Sequence, residues 1–165
     1  VSTADENKIN LSVVKSVIKS NNNRTLLLIR RIHKILGKNL KKKKISFLGV
    51  TFKPNTDDMR DSTSLKTIPY LCKKGAIISY FDPSGEKKEF LNLVGCSYKK
   101  NIKDNCKNAD LIILLTEWDE FKSIDFKRVV KRKKFKIFDL RNLYTSDDMK
   151  RKKIKYFSIG RPDIN

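Results

Sequence analysis

The stretch at residues 44–62, KISFLGVTFKPNTDDMRDS, limits the possible folds more than any other part of the chain. It opens with Ile45, Ser46, Phe47, Leu48, Gly49 and Val50, then changes at once into a polar loop carrying Lys53, Pro54, Asn55, Asp57, Asp58 and Arg60. A short apolar run bounded by turn residues reads as a buried strand, and this one ends in a charged loop. Asp61 or Ser62 can then cap a helix, because Leu65, Ile68 and Leu71 follow at helical spacing. In open α/β sheets ligands sit beyond the carboxyl ends of the strands, which makes this loop the first place to look for chemistry.

The remaining chain alternates in the same way. Apolar residues at three- and four-residue spacing predict a helix over 7–36, interrupted by a polar patch at 20–24 that marks a kink or a partner face. Gly37 ends the helix, and 38–44 is a basic linker. Further helices are expected at 64–74, 86–93 and 101–107, with strands at 76–81, 95–99, 111–115, 135–138 and 154–159. Leu111, Ile112, Ile113, Leu114 and Leu115 are apolar in succession, as a central parallel strand requires. Thr116 and Asp119 are spaced as a capping box, and Ser146 as a cap for a last short helix. Asp82 ends the second strand and reads as a turn and cap residue, because the first loop holds no G-x-G-x-x-G to give a ribose-binding acid its meaning. These elements predict an α/β fold: a Rossmann-like, doubly wound, mainly parallel sheet preceded by a long N-terminal helix. Three segments are expected: 1–43 as helix and linker, 44–160 as the Rossmann-like domain, and 161–165 as a loose tail.

The charge, +20 from 38 Lys and Arg against 18 Asp and Glu, leaves open a basic non-enzymatic module for nucleic acid or acidic partners. Two features count against nucleic acid. The excess is mostly Lys spread along the chain, as an AT-rich genome writes at tolerant positions, and aromatic residues are not interleaved with it. Cys72, Cys96 and Cys106 form no CxxC pair, so neither a disulfide framework nor a metal site is indicated. His33, the one histidine, lies among Arg30, Arg31 and Lys34 and reads as a helix-surface residue. No run approaches the roughly 20 apolar residues of a membrane span, and the reading is of a cytoplasmic chain with no membrane partner.

Lys53, Arg60 and the free N–H groups of a helix start point to an anionic ligand. On composition alone, an Arg60 paired with Asp57 or Asp58 and a solvated Lys53 explain the loop equally well. A resemblance decides between them. The run GVTFKPNTDDMRDS at 49–62 resembles the start of the UDP-binding domain in the UDP-glucose/GDP-mannose dehydrogenase family. TEWDEF at 116–121, FDLRNLY at 138–144 and YFSIGR at 156–161 resemble later parts of that domain in the same order, closest to the UDP-glucose branch. One departure is Leu140, where the family often has glycine.

The resemblance implies that the complete enzyme oxidises UDP-glucose to UDP-glucuronate with two NAD. It implies Phe52, Lys53 and Arg141 at the UDP-sugar, and Arg60 reaching toward NAD bound mainly by an N-terminal domain. The family's glycine-rich fingerprint and nucleophilic cysteine have no match here, so the chain is expected to be a truncated portion, inactive alone, with no catalytic residue of its own. The first helix then corresponds to the end of the central dimerisation helix. A homo-oligomer through that helix is expected, and a separately encoded N-terminal half is a further partner.

Overall fold

The computed structural model describes residues 12–164. It divides into two units, Val1–Lys38 and Asn39–Asn165. The described residues of the first form α1, Ser12–Leu36, which runs unbroken through the polar patch and ends where Gly37, at φ 95°, donates its N–H to His33 O at 2.8 Å. The expected helix start at 7–11 lies outside the described residues. Among the described residues no helix is long and apolar enough to cross a membrane.

The second unit is a six-stranded sheet, parallel at every pairing: β1 Lys44–Leu48, β2 Ile77–Phe81, β3 Cys96–Tyr98, β4 Leu111–Leu114, β5 Lys136–Asp139 and β6 Lys155–Ser158. Their spatial order is β3-β2-β1-β4-β5-β6, the doubly wound order. The connections carry α2 Ser64–Lys73, α3 Ile102–Cys106, α4 Phe126–Val129 and α5 Ser146–Arg151. Single 3₁₀ turns stand at Lys88–Phe90, where a longer helix was expected, and at Asp119–Phe121. β1 and β4 lie side by side at the centre, and all four residues of β4 are buried, as flanking layers on both faces demand. A core of Leu48, Ile112, Phe121, Ile137, Met149 and Tyr156 joins β1, β4, β5 and β6 to the later connections.

Two local expectations give way to other hydrogen bonds. The helix start at 146 is capped by Thr145, whose Oγ1 accepts from Asp148 N, and not by Ser146. The tail expected to be loose is tied back, because Ile164 and Tyr156 exchange both backbone hydrogen bonds at 2.9 Å in an antiparallel bridge. That bridge covers the exposed edge of β6, the usual remedy for an open sheet edge.

The reversal of winding direction falls between β1 and β4. In this fold the crevice at that switch point, on the carboxyl edge, is where ligands bind. The opposite edge is basic. Lys44, Lys136 and Lys155 each begin a strand there, and Lys136 and Lys155 are direct register partners.

Candidate functional site on the carboxyl edge

Gly49 leaves β1 at φ 77°, a conformation that disfavours any side chain. It also lies against the exit of β4: a Cβ on Gly49 would stand 2.6 Å from Thr116 Cβ. The two central strands can therefore release their loops side by side. Thr116, fully buried, donates its hydroxyl to Thr51 O at 2.8 Å and locks the loops together. Thr116 thus acts across the sheet rather than as a capping box; the following turn begins at Trp118 with no side-chain cap.

The loop after β1 is closed at its root. Ser62 Oγ and Ser64 Oγ each donate to Val50 O at 2.6 Å, and Phe52 N donates to Asp58 O at 2.9 Å. What projects beyond this closure is the tip, where Phe52 and Lys53 are exposed. Phe52 is 50% exposed, unusual for a phenyl ring held on an ordered loop. Of the two expected caps, Ser62 serves: its Oγ accepts from Ser64 N, the first residue of α2, at 3.3 Å while it also anchors the loop to Val50 O, and Thr63, already helical at φ -59° and ψ -25°, makes no side-chain cap hydrogen bond.

Arg60 takes the local alternative. Its Nη2 lies 2.9 Å and its Nε 3.1 Å from the two oxygens of Asp58, in a bidentate pair at the surface. The Arg60 hydrogen bond, first among the causes, lowers the Asp58 carboxyl from 3.8 to about 2.

Arg141 follows β5. Its Nε donates to Leu115 O at 2.7 Å and lies 2.9 Å from Glu117 Oε2. The single Nε hydrogen goes to the carbonyl, so the Glu117 contact is an ion pair rather than a second hydrogen bond, and Glu117 Oε2 has no hydrogen-bond partner. Asp139, buried at the end of β5, fixes the turn by accepting from Arg141 N at 2.9 Å and from the hydroxyl of Tyr156 at 2.8 Å. Burial, with the Asp139 carboxylate second, raises the Tyr156 phenol well above its ordinary value and keeps it a donor.

Lys53 and Arg141 therefore stand on the same sheet edge, on the loops after β1 and β5, with β4 between them. A continuous set of bonds links them: Thr51 Oγ1 lies 3.1 Å from Lys53 O, Thr116 Oγ1 donates to Thr51 O, and Arg141 donates to Leu115 O. Along this edge Glu117 Oε2, Trp118 Nε1, Asn142 Oδ1, Ser146 Oγ and Ser158 Oγ are buried without hydrogen-bond partners. An open groove of about 830 Å³ between α3 and α4 is lined by Phe81, Ile102, Ile124 and Arg128, but not by Phe52, Lys53, Arg60 or Arg141.

The sequence matches the UDP-glucose/GDP-mannose dehydrogenase family, UDP binding domain, over residues 46–146. The chain belongs to this family. The matched span contains both Lys53 and Arg141. A UDP-glucose 6-dehydrogenase of Rhizobium meliloti (strain 1021) is 34% identical over 164 residues, 99% of this chain and 38% of that protein. The UDP-glucose 6-dehydrogenase YwqF of Bacillus subtilis (strain 168) is 35% identical over 156 residues, 92% of this chain and 35% of its own length. The chain thus spans little more than a third of these curated relatives. Among solved structures, a UDP-N-acetylmannosamine dehydrogenase from Pyrococcus horikoshii superposes with a TM-score of 0.79 at 21% identity, over 98% of this chain and 36% of that one. A UDP-glucose dehydrogenase from Pyrobaculum islandicum gives 0.71 at 23%, over 84% and 31%. At these identities the superpositions establish the fold.

NAD, the cofactor implied by the family, does not fit a main site on this chain. The first turn carries Gly49 alone in place of a G-x-G-x-x-G, and the backbone N–H groups that would meet a pyrophosphate already donate to Asp82. The turn-residue reading of Asp82 holds for Oδ1, which accepts from Ser84 N at 3.0 Å. Its bonds across the sheet edge have no sequence signal except an acid at the end of β2.

Proposed function

We propose that the chain is the UDP-sugar-binding portion of a UDP-glucose 6-dehydrogenase. Phe52, Lys53 and Arg141 contact the nucleotide sugar. Lys53 and Arg141 offset the diphosphate from two sides of the switch point, Arg141 through the planar fork that suits phosphate oxygens. Phe52 covers an apolar face of the ligand. Arg60, held by Asp58 at the surface, reaches toward NAD that is bound mainly by residues outside this chain. The observation that carries the reading is the family match over 46–146, which includes both cations of one sheet edge. The complete reaction, UDP-glucose to UDP-glucuronate with two NAD, needs those outside residues, supplied by a longer chain or by a separately encoded half. Association of copies through α1 belongs to the same reading.

Titration calorimetry of these 165 residues with UDP, UDP-glucuronate and NAD tests it. Binding of the uridine ligands with little binding of NAD is expected, together with no NADH formation from UDP-glucose. Absence of UDP binding, or NADH turnover by this chain alone, overturns it.

A further inference from the structure

In a dinucleotide-binding fold, the N–H groups of the first βα turn point at a ligand phosphate. Here the first two amides after Gly49 in that turn, Val50 N and Thr51 N, donate to Asp82 Oδ2 at 2.7 and 3.3 Å. Thr51 Oγ1 lies 3.4 Å from the same oxygen. The other oxygen, Oδ1, accepts from Ser84 N at 3.0 Å and from the Ser84 hydroxyl, and Lys87 Nζ stands 3.9 Å away. The Asp82 side chain is 0% exposed and that of Lys87 4%. Lys87 Nζ is itself held by Ser84 Oγ at 2.6 Å and Ser84 O at 3.3 Å. A fully buried carboxylate persists only with such partners.

We propose that Asp82 is a resident anion occupying the phosphate position of the first turn, where it excludes an external phosphate and sets the direction of the loop carrying Phe52 and Lys53. The exclusion follows from geometry alone: both N–H groups are used, and a second anion beside Asp82 would meet like charge. The positioning follows from Thr51, whose amide donates to Asp82, whose single hydroxyl hydrogen goes to Lys53 O at 3.1 Å with Asp82 Oδ2 farther off at 3.4 Å, and whose carbonyl accepts from Thr116. Asp82 is thus a positioning residue acting on Lys53 through Thr51, and Lys87 is its counter-charge. This second half rests on the assignment of Lys53 to the UDP-sugar. A dinucleotide is therefore refused by the turn itself, and the diphosphate of a nucleotide sugar is directed toward β4 and β5.

The test replaces the resident anion with a diffusible one. In Asp82→Ala, formate or acetate fills the vacated place: the Val50 and Thr51 amide resonances shift saturably with formate, and the melting temperature rises with it. The wild type shows neither change. UDP affinity of Asp82→Ala falls by about tenfold, the loss of roughly one well-placed charged contact, and formate restores part of it. Restoration is the outcome that a merely structural role would not give. Should Asp82→Ala fail to fold, Lys87→Met keeps the carboxylate but removes its counter-charge, and the same amides then move on addition of salt. Val50 and Thr51 amides that ignore formate in Asp82→Ala, or salt in Lys87→Met, overturn the resident-anion assignment. Wild-type protein that binds no UDP while Asp82→Ala still answers formate at those amides defeats the nucleotide-sugar reading and leaves the resident anion standing.

Discussion

Gly49 and Thr116 approach so closely that a single methyl group on the glycine would stand 2.6 Å from Thr116 Cβ. Because Thr116 is fully buried and bonded to Thr51 O, it has no room to retreat. Gly49→Ala therefore meets both an unfavourable φ and an overpacked contact, together about 2–4 kcal/mol of stability. Urea unfolding measures this directly. The loop bearing Lys53 is displaced with it, so UDP affinity falls as well. Gly160→Ala has a positive φ but open space around it, and is expected to lose only about 1 kcal/mol.

The contrast between these glycines shows what was readable in advance. Alternation of apolar runs with helical patterns was enough for the parallel sheet, and it put Lys53 and Arg141 on one edge, since both follow strands of the same direction. The bonds that fix that edge were not readable. Asp82 to Val50, Thr116 to Thr51 and Arg141 to Leu115 join residues 26 to 65 positions apart, and each uses a backbone group as one partner. Backbone groups are the same in every residue, so such pairings leave no trace in residue type. Thr116 was accordingly read as a local cap, the commoner role of a threonine ahead of an acid.

Alkaline pH is expected to destabilise the domain through thiols and phenols that are buried or half-buried. Desolvation raises Cys96 and Cys106 from 9.0 to about 12, and Tyr80 and Tyr144 from 10.0 to about 12. Between pH 9 and 12 the unfolded chain loses these protons first, so the folded state binds more of them and stability falls as pH rises. Each group contributes a slope of up to about 1.4 kcal/mol per pH unit inside its window. Urea midpoints measured from pH 8 to 11 read the fall, and Cys106→Ala should make it shallower while lowering stability at pH 8.

On the opposite edge, Lys136 and Lys155 are register partners on adjacent parallel strands, with like charges side by side. Desolvation first, then Lys155 and Lys43, lowers the Lys136 ammonium below its ordinary value, opposed by Asp110. Lys136→Gln is thus expected to stabilise the fold by a few tenths up to about 1 kcal/mol. Repulsion between partly exposed charges is screened by salt, so the gain should shrink as ionic strength rises. A melting series in sodium chloride, wild type against variant, checks both the sign and the salt dependence.

Arg141 and Glu117 make opposite predictions for UDP affinity. The orientation of Arg141 comes from its hydrogen bond to Leu115 O, while Glu117 adds charge at 2.9 Å without a hydrogen bond. Arg141→Lys keeps the charge but loses the fork that serves the carbonyl and a phosphate together, so UDP binding weakens by about tenfold or more. Glu117→Gln removes the negative charge 2.9 Å from Arg141, where the proposed function puts the diphosphate, and leaves the Leu115 bond in place. Because both side chains are about one-third exposed, solvent screens the effect, and the gain in UDP affinity is modest, about two- to threefold. Calorimetry of the two variants at fixed ionic strength reads both changes. A Glu117→Gln variant that binds UDP more weakly than wild type would mean that the ion pair, and not the carbonyl, holds Arg141 toward its ligand.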